Sequence, residues 1–168
     1  LTRHYSTSEQ IHAAYFQYTG KWKELTYQAG LRGELAVISG KSLLSPETFH
    51  FSYPGFYPSG LIKYTYRKSN DFQVSYSRRV NRPEARSLLP FTEYEDLLNV
   101  RVGNPALKPE NINSFEASYY KTLAKHTLGA SVYYRHTVNM ITRMRTLDTA
   151  TGVTTMMNRN FSSSDNTG

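Results

Sequence analysis

Leu25-Thr26-Tyr27-Gln28-Ala29-Gly30-Leu31-Arg32-Gly33-Glu34-Leu35 alternates without a break. Five of its six odd positions are apolar, Gly33 being the exception, while Thr26, Gln28, Gly30, Arg32 and Glu34 at the even positions are not. A period of two belongs to a strand, whose successive side chains point to opposite faces; a helix would repeat every 3.6 residues. Residues 59–67, 72–79, 113–120 and 127–137 alternate in the same way. Across the five windows one face is apolar at 18 of 23 positions and the other at 3 of 24. Residues 11–19 give a sixth strand, with Ala14, Phe16 and Tyr18 on its better face. Residues 138–145 extend the strand before them, and 153–161 begin a seventh. The predicted fold class is therefore all-β, an antiparallel up-and-down meander of six or seven strands.

Composition narrows what such a meander can be. The 168 residues carry a net charge of +7, 14% aromatics with 14 tyrosines among them, and no cysteine. Without cysteine there is no disulfide scaffold, no thiolate metal site and no thiol nucleophile. The longest aliphatic run is Leu35-Ala36-Val37-Ile38, far short of the ~20 residues a membrane helix needs. Such a run says nothing against a β-barrel, which crosses a bilayer on alternating strands.

Connections alternate in length. Residues 20–24, 68–71 and 121–126 read as short turns, each with at least one lysine. Residues 36–56 and 81–112 read as long loops rich in Pro, Gly, Asn and Ser, and 148–152 as a turn of moderate length. Loops beyond ~12–15 residues are uncommon in compact domains unless they carry function. Two rims with different tasks would give this pattern, as in outer-membrane barrels with short periplasmic turns and long extracellular loops.

The polar face carries Arg32, Glu34, Lys63, Arg67, Arg79, Glu116 and Arg135. In a soluble β-sandwich, such as a carbohydrate-binding or adhesion module, that face would meet water and the apolar face would form a dry core. In a barrel it would line the lumen and the apolar face would meet lipid. Tyrosine favours the barrel, because its ring suits the headgroup level. Tyr64, Tyr66, Tyr76, Tyr119, Tyr133 and Tyr134 stand toward strand ends, as interface residues would.

Six segments carry a family likeness. Tyr76-Ser77-Arg78-Arg79-Val80-Asn81-Arg82-Pro83 is followed by Leu89-Pro90-Phe91 and then Gly103-Asn104-Pro105-Ala106-Leu107-Lys108-Pro109-Glu110. Asn113-Ser114-Phe115-Glu116 opens the next strand, and residues 27–34 and 130–135 read YQAGLRGE and ASVYYR. Together these resemble the outer-membrane β-barrel region of TonB-dependent receptors, in the form common in the Bacteroidetes. The resemblance runs in order over roughly residues 10–145. It departs from the family pattern at Leu89, where Asn is frequent, and at Gly33, where Ala is common.

Physically, Pro105 and Pro109 fix φ and bias the residues before them toward extended backbone. Gly103-Asn104 supplies a turn. Arg82, Pro83, Gly103, Asn104, Pro105, Leu107, Pro109, Glu110 and Glu116 are thus expected to be structural punctuation that returns a long loop to its strand with Phe115 outward and Glu116 inward. The resemblance implies that residues 1–168 are one fragment of a larger barrel domain, with the plug and other strands absent. It also implies an outer-membrane location in a Gram-negative bacterium, lipid around the wall, energy from the TonB–ExbB–ExbD system through the plug, and active uptake of a nutrient such as a siderophore, glycan or peptide.

Other constellations carry less. Arg78, Arg79, Arg82 and Arg86 cluster at a strand end, and with Tyr94 they are candidate ligand or rim contacts. A charged rim with ordinary salt bridges is the preferred reading of the arginines. Glu93, Glu95 and Asp96 read as a solvated acidic loop pairing with those arginines, in preference to a cation site. The five histidines lack metal-ligand spacing, and Met140, Met144, Met156 and Met157 read as packing. No catalytic set or cofactor motif can be assembled, so no enzyme is predicted. The basic residues form no single stripe of the kind nucleic acid requires.

Overall fold

The computed structural model describes residues 5–42, 48–89 and 91–168. In chain order the elements are β1 (Tyr5–Trp22), β2 (Leu25–Ser42), β3 (Thr48–Tyr66), β4 (Asn70–Asn81), a one-turn helix α1 (Ala85–Leu88), β5 (Thr92–Tyr94), β6 (Asn99–Val102), β7 (Glu110–Thr122), β8 (Thr127–Leu147) and β9 (Thr154–Thr167). Among the described residues the nine strands lie in one open sheet ordered β1-β2-β3-β4-β7-β8-β9-β6-β5. The seven long strands make the expected antiparallel meander, and 138–145 and 153–161 fall in β8 and β9 as predicted.

Three features of the segments read as loops are corrected. Residues 36–56 are mostly strand, with β2 running to Ser42 and β3 starting at Thr48; 43–47 lie outside the described residues. The long segment is shortened to 82–109 and holds α1, β5 and β6. Its strand β6 runs parallel to β9, from Asn99 opposite Thr154 to Val102 opposite Met157, so the sheet is not wholly antiparallel. The charged run Glu93-Tyr94-Glu95-Asp96 masks these short strands in the sequence.

The two faces of the sheet differ, and the face on which residues 82–109 lie is here the inner one. Directly paired residues share a face, so register fixes the sides. Trp22, Leu25, Tyr64, Phe72 and Tyr119 form one row of the outer face. Tyr76, Phe115 and Tyr134 form another, with ring centroids 4.8 Å and 6.3 Å apart. Val74, Ala117 and Val132 lie between these rows. Phe16, Leu31, Phe56, Ile62, Phe72, Val74, Phe115 and Val132 are all exposed. Among the described residues no second sheet covers them, so they form no dry sandwich core.

The tyrosine hydroxyls point away from the middle of this band. On β4, β7 and β8 the apolar rows end four residues above the lowest one; Tyr119 donates to Asn70 below them (2.8 Å), while Tyr76 donates to Asn113 (2.9 Å) and Tyr134 to Asp165 (2.6 Å) above them. An apolar ring with a wet tip is what an interfacial residue requires. Tyr133 departs from the expectation: it pairs with Glu116 on the inner face.

Sidedness inverts near the top of β1–β3. Up to the paired row His12–Leu35–Pro54 the outer face is largely apolar; from Gln10–Val37–Ser52 upward it carries Ser8, Ser39 and His50 instead. The inner face changes in the opposite sense at the same level. Arg32 and Glu34 give way to Ala36 and Ile38, both fully buried, and on β3 to Tyr53, Phe51 and Phe49. From Trp22–Leu25–Tyr64 to His12–Leu35–Pro54 is ten residues along each strand. At ~3.4 Å per residue and a tilt of ~40° this gives a band roughly 26 Å tall, against the ~25 Å apolar belt of outer-membrane barrels.

Candidate functional site: the folded segment on the inner face

Residues 82–109 are held at both ends. Pro83 is buried, and the Arg82 guanidinium reaches across to pair with the Glu34 carboxylate of β2, whose side chain is only 4% exposed. Arg32 pairs with the same carboxylate at 2.7 Å. Burial of Arg82 lowers its pKa, because desolvation disfavours the charged form. At the other end Glu110 is buried, accepts from the Asn81 amide at 2.6 Å, and accepts from the backbone N–H of Ile141 in β8.

Between these ties the segment folds on itself. The Asn104 N–H donates to the Ser87 carbonyl (2.7 Å), the Ala106 N–H to the Asn104 side chain (3.0 Å), and the Asn104 amide to the Asn158 carbonyl of β9 (3.0 Å). Gly103 is required by close approach: a Cβ there would lie 1.8 Å from the Leu89 carbonyl oxygen. Pro105 is exposed and Pro109 half-buried, flanking Leu107. Leu107 and Leu88 meet Ile38 of β2 in the buried cluster, with Phe49, Phe51, Tyr53, Ala85 and Ile141 packed around it. The Asn160 side chain accepts from the Lys108 N–H and donates to the Lys108 carbonyl, both at 2.9 Å. The motif residues therefore connect β2 and β3 on one side to β8 and β9 on the other.

A cavity of about 240 Å³ lies under the segment, lined by Arg82, Glu84, Arg101, Glu110 and Arg143 together with Met156. Its charges are largely matched, since Arg82 pairs with Glu34 and Arg101 with Glu95 at 2.9 Å. Among the described residues no group of three His, Asp or Glu side chains could hold a metal ion.

The arginines that cluster in sequence do not cluster in space. Arg78 lies on the outer face beside Asn113, and Arg79 on the inner face beside Ile112. Arg86 pairs with Glu93 at 2.6 Å, and that carboxylate raises its pKa. Tyr94 is exposed on β5, next to the fully open Leu97. Asp96 accepts from the Leu98 and Asn99 N–H groups at 2.8 Å, and these bonds hold its carboxyl below the ordinary value. Glu116 lies on the inner face, accepting from Ser118, opposite in sense to Phe115.

Sequence reasoning missed Glu34, Asn81, Ile141, Asn158 and Asn160 as the partners of the motif. It also missed the inversion, which had a legible signal. Phe49-x-Phe51-x-Tyr53 and Pro54-x-Phe56 alternate in opposite phase.

The family model for the outer membrane protein beta-barrel family matches residues 1–168. No curated protein sequence matches the chain. Among solved structures the chain resembles the Serratia marcescens hemophore receptor HasR (TM-score 0.77, 13% identity, 95% of this chain and 31% of that one). It also resembles the copper transporter OprC (0.66, 12%, 92% and 25%) and the Pseudomonas aeruginosa siderophore receptor PirA (0.61, 12%, 96% and 39%). At these identities the likeness is one of fold, and the chain spans well under half of each structure's length.

Proposed function

Because the chain belongs to the outer membrane protein beta-barrel family, we propose that its sheet is a section of the wall of a TonB-dependent receptor of the Gram-negative outer membrane. In this reading residues 1–168 are one part of a single barrel domain. The strands meet lipid on the outer face, and the inner face lines a lumen closed by a plug. The segment 82–109 and the hairpin bearing Tyr94 stand at the extracellular mouth where a nutrient arrives, and the motif residues Arg82, Pro83, Gly103, Asn104, Leu107 and Glu110 brace that segment. The protein binds and carries its ligand without transforming it, as the receptors and the transporter it resembles in fold are named for doing.

The observation that carries the reading is the exposed apolar outer face of a single sheet, a band about 26 Å tall on β1–β3. Water would not tolerate a patch of that extent on a monomer, whereas lipid requires it. The receptor role is tested in cells carrying the full-length protein. Expected are recovery in the outer-membrane fraction, a folded form resistant to detergent at room temperature, and nutrient accumulation that stops when TonB is deleted. Accumulation unaffected by TonB would sink the receptor reading and leave the barrel intact.

A further inference from the structure

The lower rim of the sheet carries a charge pattern that a lipid-facing wall does not need. Its three connections are 23–24, 67–69 and 123–126, and they bring Lys23, Arg67, Lys68 and Lys125 to one edge, with Lys121 beside Leu128 on the outer face. All five cations are exposed. Glu24 is the only acid within these turns. None of the five cations takes part in an ion pair among the described residues, whereas at the opposite rim Arg86 and Arg101 are each matched by a carboxylate. Arg86 and Arg101 are thus neutralised by the chain itself, whereas the five cations of the lower turns are left for something else.

Two further observations bear on what that is. Lys23 lies over the Trp22 ring at 5.6 Å and Arg67 over the Tyr66 ring at 5.0 Å. Both rings are exposed and stand at the foot of the apolar band, so each cation is held where the band ends. The backbone also sets these side chains at a cost. Lys23, Arg67 and Lys68 sit at φ +53°, +49° and +57°. At such positions a tight hairpin ordinarily takes glycine or asparagine, because a Cβ is strained there.

We propose that this rim docks on the anionic phospholipid headgroups of the leaflet it faces, the phosphates meeting the five cations while Trp22 and Tyr66 sit at the acyl boundary. The inference rests on the barrel reading and adds a lipid preference to it. Phosphate is the complementary group for a row of unpaired cations, and a row continuous with an apolar belt selects a phosphate attached to acyl chains. An acidic protein or a peptidoglycan carboxylate would satisfy the charge and leave the aromatic collar without a role.

The test uses the full-length protein, folded from urea into vesicles of phosphatidylcholine alone or with phosphatidylglycerol added, the folded fraction being read by gel mobility without heating. Anionic lipid is expected to raise the folded-to-unfolded ratio at low salt by at least about tenfold, and high salt to abolish the gain, since each membrane-proximal cation contributes about fivefold at low screening. A variant with Lys23→Gln, Arg67→Gln, Lys68→Gln, Lys121→Gln and Lys125→Gln is expected to lose the gain and to fold in phosphatidylcholine as the parent does. If the variant does not fold, the salt dependence of the parent and the smaller variant Lys121→Gln/Lys125→Gln, with both turns of strained backbone untouched, decide the matter. Equal folding of the parent in both vesicles, or a gain that survives high salt or the loss of the cations, overturns the proposal. Failure to insert into either vesicle would instead overturn the barrel reading.

Discussion

The lower and upper halves of β2 and β3 are continuous strands with opposite chemistry. Below the row His12–Leu35–Pro54 the inner face carries Arg32, Glu34 and Lys63 and the outer face Leu31, Phe56 and Ile62. Above it the inner face carries Ile38 and Phe51 and the outer face Ser39 and Ser52. Hydrogen bonding along the ladder is indifferent to this change. What changes is the solvent each face meets: in the lower half an apolar side chain is stable because it is outside, and in the upper half because a folded segment covers it. The run Leu35-Ala36-Val37-Ile38 is apolar throughout because both faces need it at the crossover, and Ala36 and Ile38 are the buried members.

The sharpest way to break this contrast is to place the same charge at two points. Ile38→Asp puts a carboxylate in the closed cluster with Leu88 and Leu107, and should cost more than about 4 kcal/mol, releasing residues 82–109. Limited proteolysis and hydrogen exchange of that segment would show it, in detergent and in bilayers alike. Ser52→Asp, one residue along on the neighbouring strand but on the outer face, should be nearly neutral. If Ile38→Asp leaves the segment protected, the cluster does not hold it.

Next in size is the buried charge. Glu34→Ala leaves Arg82 without its carboxylate in a site only 16% exposed, at an expected cost of about 3–5 kcal/mol. Adding Arg82→Met should recover most of that loss, since an apolar pair is no worse than an ionic one when buried. Absence of recovery in thermal unfolding would mean that Arg82 makes some contact beyond its pairing with Glu34.

In the lower half the sign depends on the medium. On the proposed barrel wall Leu31→Arg would face lipid, and near the midplane it should cost ~2–4 kcal/mol in a bilayer. In detergent micelles, where the head can reach water, the penalty should be small. Equal penalties in the two media would show that Leu31 is packed against protein.

How much of this was legible in the sequence follows the same division. The lower half could be read from residues 25–35 and 59–67 alone, because one face meets one solvent and a period of two reports it directly. The upper half could not, because the inner face there is apolar only through Leu88 and Leu107, some fifty to seventy residues distant from Ile38. The motif was visible as Arg82-Pro83 and Gly103-to-Glu110, yet its partners Glu34, Ile141 and Asn158 are ordinary strand residues whose role exists only after folding. Arg78 and Arg79, adjacent in sequence, part on folding, while Arg86 in α1 pairs with Glu93 as the charged-rim reading expects. Neighbours along a strand point to opposite faces, so a cluster in sequence is dispersed by the pleat.

A smaller effect separates the hairpin tip from the segment that carries it. The Asp96 carboxyl is held low by the Leu98 N–H and the Asn99 side chain. Its contribution is therefore complete above the ordinary carboxyl pKa and is lost as pH falls through the lowered folded value. Amide protection of residues 95–99 should decline only in that acidic window, with residues 103–108 unaffected, and Asp96→Asn should flatten the profile. Loss of protection between neutral pH and the ordinary carboxyl range would place the responsible group elsewhere.

The smallest effect distinguishes strain that is tolerated from strain that is used. Lys68 sits at φ +57° in the turn 67–69, where glycine is free of the Cβ clash. In detergent Lys68→Gly should stabilise the protein by up to about 1 kcal/mol, net of the greater chain entropy of glycine when unfolded. In bilayers with anionic lipid the same substitution also removes a headgroup contact of similar size, so the gain should shrink toward zero. A variant equally stabilised in both media would show that the turn keeps lysine for no electrostatic reason. One stabilised in neither would show that the left-handed backbone carries no strain. Only a gain that depends on lipid charge ties the local conformation of one residue to the surface it faces.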